Sequence, residues 1–348
     1  MAAVPDRALD EILSGVSRSF YLSLSILPRQ VRTQISVAYL VARAADTIAD
    51  THAVQAGERR ALLDGLRGAI DDQRQSKAIA EAVREKIEGA THVPAERLLL
   101  YRLGDCLALL ARASPDDRAL LRRVLDALIT GMERDLERFP TVGGPPSALS
   151  SMAELDEHCY LAAGCVGEFW TAMTAAHIPS VAHLGRPDLI ERGVRLGKAL
   201  QLVNVIRDAP ADLREGRCYF PSPLLEARGL SEGDLLDPKR RLGARPVVEE
   251  LRRLALDHVD AAWGYVQAIP ATSPRLRLAC VWPLWIGLST LARIGRAEDP
   301  LDPQASVKIE RSEVYKIVAE STLVVAVTPL LDRAHGRRRA AAQCATIE

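Results

Sequence analysis

QLVNVIRDAPAD, residues 201–212, is the stretch from which the rest of the chain is read. Residues four apart on an α-helix lie nearly above one another. Asn204, Asp208 and Asp212 therefore form one polar stripe, with Gln201 and Arg207 beside it. Leu202, Val203, Val205 and Ile206 face elsewhere. Two carboxylates and an amide on a mostly apolar helix are costly unless something binds them. A hard divalent cation is the natural candidate, because Mg²⁺ takes carboxylate oxygens and keeps water or substrate oxygens besides.

The same device occurs earlier, in YLVARAADTIAD at 39–50. Apolar residues at 35, 37, 38, 40, 41, 44, 45 and 48 cover most of that helix, which predicts burial. Asp46 and Asp50 stand four apart at its end. One such pair is common on a solvated helix face. Two pairs within apolar helices are harder to dismiss, since like charges four apart repel. Arg43 precedes Asp46 by three residues, and Arg207 adjoins Asp208. Acids with arginines suggest a metal–diphosphate site, in which the acids hold Mg²⁺ and the arginines complete the phosphate cradle. Two such helices facing across a central cavity would make two metal-lined walls.

Around these stretches the chain reads as all-α and as one domain. Residues 7–24 are expected to form a short helix and a turn around 17–20, and helical patterns are expected at about 31–50, 58–73, 76–90, 94–113, 115–138, 152–177, 187–213, 223–229, 246–268, 273–295 and 306–331. Period-two strand patterns are almost absent. The Pro- and Gly-rich break at 140–146 is expected to be a loop and no domain boundary. A domain over 1–333 and a disordered basic tail over 334–348, with arginines at 337–339, are expected.

The 348 residues suffice for a sizeable core, and 48% of them are hydrophobic, which excludes general disorder. Lys plus Arg equals Asp plus Glu at 45 each, which argues against a nucleic-acid partner. The six cysteines form no CxxC pair and no zinc spacing, so buried free thiols in a reducing cytosol are expected. The acidic N-terminal stretch is no secretory signal, and the late apolar run Leu323–Leu331 is far shorter than the ~20 residues of a spanning helix. A soluble, cytoplasmic monomer is expected, with peripheral membrane contact left open.

Four longer stretches carry a resemblance: SRSFYLSLSILP at 17–28, YLVARAADTIAD at 39–50, CYLAAGCVGEFW at 159–170 and LGKALQLVNVIRDAPADLREGRCYFP at 196–221. Together they resemble the head-to-head prenyl synthases, the squalene and phytoene synthase family, over about Ser17–Tyr315. The resemblance implies an all-α isoprenoid synthase bundle. It implies Asp46, Asp50, Asp208 and Asp212 as metal ligands for Mg²⁺, with Asn204 beside them. Arg18, Arg43, Asn204, Arg207 and Arg217 would meet substrate diphosphate, and Arg18, Arg43, Arg207 and Lys308 the phosphates of NADPH. No GxGxxG follows a strand, so an NADPH site here is not a Rossmann one.

The implied reaction joins two farnesyl diphosphates. Loss of one diphosphate leaves an allylic cation, which the second farnesyl attacks; proton loss then closes the cyclopropane of presqualene diphosphate. Loss of that diphosphate, rearrangement and hydride from NADPH would give squalene. Aromatic faces can stabilise such cations, and Phe20, Tyr39 and Tyr160 are the candidates. The small residues Ala162, Ala163, Gly164 and Gly167 would either admit a prenyl tail or pack helix on helix.

Three positions depart from the family pattern. His158-Cys159 stands where the family has Tyr-Cys, so Tyr160 or His158 takes the proton-handling role. Ala49 stands where some members carry an extra acid. Pro210, inside the second motif, is expected to kink or end its helix. DTIAD in place of DDIVD, with VKIERSEVY at 307–315, points to the squalene branch. The alternatives are a non-reductive relative making dehydrosqualene, presqualene diphosphate or phytoene, and a non-catalytic scaffold or lipid-binding protein.

Overall fold

The structure, a computed structural model, describes residues 6–16, 20–87, 89–91, 93–140, 143–304 and 307–344. It divides into two compact units, residues 1–140 with 172–178, and 141–171 with 179–348. The break at 140–146, expected to be only a loop, falls at the seam of that division. Helix dominates throughout, as the periodicity predicts.

The first unit holds α1 (Asp6–Val16), α2 (Phe20–Ser25), α3 (Arg29–Asp50), α4 (Ala56–Asp71), α5 (Gln73–Ile87), α6 (Pro94–Tyr101), α7 (Leu103–Ala111) and α8 (Pro115–Arg138). The expected helix at 94–113 is two, parted at Arg102. α3 is the buried axis and packs on α4, α7 and α8, with Val31, Leu40, Val41, Ala44, Ala45 and Ile48 sealed from solvent. Two acids at a helix C-terminus oppose the helix dipole. The buried Arg59 offsets this by donating to the Ala49 carbonyl.

The second unit begins with strand β1 (Ser147–Leu149) and α9 (Met152–Cys159), capped by Ser151, whose hydroxyl accepts from the Glu154 amide at 3.2 Å. A π-turn over Tyr160–Gly164 joins α9 to α10 (Cys165–His177), which passes from the second unit into the first at Ala172. α11 (Pro187–Arg214) is the second axis. It runs through Pro210 to Arg214, so the proline does not end it. Pro210 leaves the Ile206 carbonyl, about two turns before the helix end, without its usual backbone donor, and the helix continues past it.

Strand β2 (Arg217–Pro221) follows and pairs in parallel with β1, Ser147 opposite Arg217. This two-stranded sheet was not expected. Its only sequence signal is the four-residue alternation of half-buried Arg217 and Tyr219 with buried Cys218 and Phe220. Gly216, at φ 86°, makes the reversal from α11 into β2, a left-handed conformation that glycine adopts freely.

α12 (Ser222–Glu226), α13 (Arg245–Ala268), α14 (Pro274–Arg296), α15 (Arg311–Val324) and α16 (Thr328–Gln343) complete the unit. The expected helix at 306–331 is thus two, parted just before Pro329. The disordered tail is also corrected, because residues 334–343 belong to α16. There Arg252, 1% exposed, donates to the Ala342 carbonyl and holds Glu249 at 2.7 Å. His335 stacks on Trp263 at 3.7 Å, and Arg338 lies 4.8 Å over the Trp285 ring. Among the described residues, α14 is the one helix long and apolar enough to cross a membrane, and 78% of its apolar window is buried within the protein. Five cysteines are buried free thiols; burial pushes Cys106, Cys159, Cys165, Cys218 and Cys280 up to about 12, and Cys344 is exposed.

Candidate metal and diphosphate residues

In the first unit α3 carries Asp46 and Asp50 at its last turn, next to the buried Ala44, Ala45, Thr47 and Ile48. Arg43 donates to Asp46 and, at 2.7 Å, to Glu96 of α6. Glu96 also accepts from the Thr91 hydroxyl at 3.0 Å, which fixes the arginine's second anchor. Sequence reasoning missed Glu96, because no period relates it to α3. Burial and then the charge of Asp50 push the Asp46 carboxyl up to about 6, against the pull of Arg43. The Tyr39 hydroxyl donates to the Val16 carbonyl at 3.3 Å, tying α3 to α1. Arg18 lies outside the described residues, as does the Phe20 side chain.

In the second unit the expected stripe on α11 is present. Gln201, Asn204, Arg207, Asp208 and Asp212 are half-buried, and Leu202, Val203, Val205, Ile206, Ala209 and Leu213 turn into the core. Arg207 clamps Asp208 with both nitrogens, its Nε at 2.9 Å. Arg217, returned by the Gly216 turn, reaches Asp212 at 3.2 Å and Glu215 at 2.7 Å. Burial pushes Asp212 up to about 6; Arg217 opposes this, and Asp208 and Glu215 add to it.

His158 and Tyr160, the two candidates for the family tyrosine, part company. The His158 ring packs on Tyr219 of β2, centroids 4.3 Å apart, and its Nε2 meets Gln201 Nε2 at 3.2 Å. Gln201 Oε1 accepts from Asn204 Nδ2 at 3.4 Å. The Tyr160 hydroxyl instead donates to Glu168 at 2.9 Å, and Lys198 stands 5.9 Å over its ring. His158 thus meets Gln201 of the stripe, and the Tyr160 hydroxyl meets Glu168 of α10. Tyr219 and Glu168, like Glu96, were missed by sequence reasoning.

The small residues serve packing. A Cβ on Gly167 would fall 1.9 Å from the Gly193 carbonyl oxygen, and one on Gly197 would fall 2.1 Å from that of Ala163. α10 and the π-turn therefore meet α11 backbone to backbone. Lys308 is exposed ahead of α15, and its carbonyl accepts from Arg293 at 2.8 Å.

Among the described residues no three His, Cys, Asp or Glu side chains converge as a ready metal cage. Mg²⁺ does not require one, because it binds through one or two carboxylates together with water and phosphate oxygens. A pair of crowded, mutually repelling carboxylates on each helix, with a guanidinium beside it, is a donor set that fits Mg²⁺–diphosphate. For NADPH the fit is only one of charge, through the exposed Lys308 and Arg311.

Comparison with known proteins gives the relatives of the chain. The squalene synthase of Eremothecium gossypii is 24% identical over 315 residues, 89% of this chain and 66% of that protein. The bifunctional lycopene cyclase/phytoene synthase of Pyrenophora tritici-repentis is 26% identical over 317 residues, 90% of this chain and 48% of that protein. The chain thus spans under two thirds of the length of both. Among solved structures, TcSQS in complex with the ligand BPH1237 superposes with a TM-score of 0.76 at 22% identity, covering 96% of this chain and 91% of that one. A dehydrosqualene synthase superposes at 0.62 with 18% identity, covering 91% and 95%. The family model for squalene/phytoene synthase matches residues 13–313, across both acid pairs and the helices that carry them, and the chain belongs to that family.

Proposed function

We propose that the protein is a Mg²⁺-dependent prenyltransferase that condenses two farnesyl diphosphates head to head into presqualene diphosphate and reduces this to squalene with NADPH. The observation that carries the reading is the pair of crowded carboxylates on each axis helix, each with an arginine on it. Asp46 with Arg43, and Asp208 and Asp212 with Arg207 and Arg217, are matched donor sets for metal and phosphate.

Bound Mg²⁺ would neutralise diphosphate oxygens and so ease departure of the leaving group. The residues of the chain do the rest. The aspartates hold their oxygens in place from rigid helices, which spares reorganisation during the reaction. Arg207 and Arg217 can turn from the carboxylates to phosphate oxygens, which they bind in a fixed fork. Asn204, aligned through Gln201 and His158, offers its carbonyl oxygen to the same cation. Water that would trap an allylic cation has to be kept from the site while the reaction runs. NADPH would supply the closing hydride; Lys308 and Arg311 support that step by charge alone.

The test incubates purified protein with farnesyl diphosphate and Mg²⁺, with and without NADPH. Squalene only with NADPH is expected, and Asp208→Asn should lower turnover by at least about a hundredfold. Normal turnover by Asp208→Asn would sink the site assignment. The same product in both tubes would favour a second reading, a non-reductive condensation, to dehydrosqualene or presqualene diphosphate from farnesyl diphosphate, or to phytoene where a longer prenyl diphosphate is supplied. The similarity to a bifunctional lycopene cyclase/phytoene synthase speaks for keeping that reading.

A further inference from the structure

The corner between α15 and α16 has an unusual surface. From Ser321 to Leu331 the chain reads STLVVAVTPLL, with no charge between Glu320 and Asp332. Part of it is anchored: Val325 and Leu331 are buried, and the buried Arg277 donates to the Val325 carbonyl at 3.1 Å and to the Thr328 hydroxyl at 3.0 Å. The same guanidinium donates to the Ile269 carbonyl at 2.6 Å, which holds the corner to the end of α13. The outward part is apolar and bare. Leu323 is 83% exposed, Val327 46% and Leu330 44%, and Tyr315 on the same face of α15 is 68% exposed. A held corner that presents large apolar side chains to water marks an interaction surface.

The charges behind the tip are sorted by sign. Lys316 lies seven residues before Leu323, and Arg333 and Arg337 lie three and seven after Leu330, so helical spacing puts each cation on the face of its apolar residue. All three are exposed. The acids are occupied: Glu320 accepts from Arg337 and Arg338, and Asp332 turns inward to Trp263 and Gln267, each at 3.0 Å. An apolar tip with a cationic rim complements a layer of apolar chains beneath anionic headgroups.

We propose that the α15–α16 corner is a membrane-docking wedge, with Leu323, Val327 and Leu330 entering the acyl boundary of an anionic bilayer and Lys316 and Arg333 meeting its headgroups. This goes beyond the catalytic reading and does not depend on it, since vesicle binding needs no substrate. Purified full-length protein is sedimented with phosphatidylcholine vesicles and with vesicles that also contain phosphatidylglycerol. Binding to the second kind, weakened by salt, is expected. Leu323→Asp with Leu330→Asp should cut the partition coefficient by about tenfold or more. Lys316→Glu with Arg333→Glu should abolish the preference for phosphatidylglycerol. All four side chains are exposed, and unchanged melting of the variants checks that they fold. The proposal is overturned if wild-type protein ignores anionic vesicles, or if the Leu323/Leu330 variant binds them as wild type does. It is also overturned if light scattering finds a dimer that the same variant splits while vesicle binding is absent; a second copy would then cover the corner.

Discussion

Asp212 is a carboxylate 17% exposed, held beside Asp208 and Glu215 and drawn to Arg217. Its pKa is raised from the ordinary 3.8 to about 6, so the fold keeps a proton that the unfolded chain gives up earlier. Between about pH 4 and 6 the native state binds more protons than the unfolded state, and the metal-free protein loses stability as pH rises through that window. His258 and His335, lowered to about 4 by burial, act in the opposite sense over an overlapping window, because they lose stability as pH falls. The readable quantity is therefore a difference. Melting temperature measured against pH in the presence of a chelator should fall less steeply from pH 4 to 6 in Asp212→Asn than in wild type. Identical slopes would mean that Asp212 is not held protonated by the fold. The stripe that contains Asp212 was legible from spacing alone. The partner of Arg43 on α6 was not, since Glu96 lies 53 residues away and meets it only through packing.

Among the elements, the α10–α11 contact shows how composition can leave a role open. Gly164, Gly167, Ala162 and Ala163 are equally suited to admit a prenyl tail and to let two helices touch. Gly193 and Gly197 on α11 decide for packing at Gly167 and Ala163, because the space a Cβ would need is already filled by backbone carbonyls. Carbonyl oxygens on helices cannot step aside as side-chain ends can. Gly197→Ala should therefore cost about 1–3 kcal/mol by forcing the helices apart, and denaturant titration should read it as a lower midpoint at unchanged slope. Stability equal to wild type would show that the contact is looser than the structure has it. The helices themselves were readable from their 3.6-residue period. The joins were not, as the breaks at Arg102 and ahead of Pro329 interrupt patterns that stay apolar across them. β2 was missed because four alternating residues are too few to stand out from a turn.

At the scale of the molecule, the C-terminal helix is the clearest case of tertiary structure overruling composition. AHGRRRAAAQ reads as a solvated basic tail. In the fold, Arg339 forks onto Asp260 at 2.7 and 2.9 Å, Arg338 covers Trp285, and the backbone of Ala342 satisfies the buried Arg252. Removal of residues 334–348 should leave Arg252 without its carbonyl partners and expose Trp263 and Trp285. Arg252 keeps Glu249, so a loss of about 1–3 kcal/mol is expected from the buried donors left without carbonyl acceptors, measured by thermal or urea unfolding of the truncated chain. A truncation that melts as wild type does would restore the reading of a dispensable tail.

By itself the sequence determined the helical class, the two acid pairs with their arginines, and the family to which they belong. These are set by period and by local side-chain chemistry, which act within a few turns of one helix. Only the tertiary structure decided that Tyr39 ties α3 to α1, that His158 meets Gln201 of the α11 stripe, and that the glycines meet backbone instead of ligand. It likewise decided that an arginine-rich terminus packs. Such outcomes depend on which surfaces meet in space. A guanidinium reads as exposed in any composition, yet it is buried wherever carbonyls, carboxylates and an aromatic face surround it.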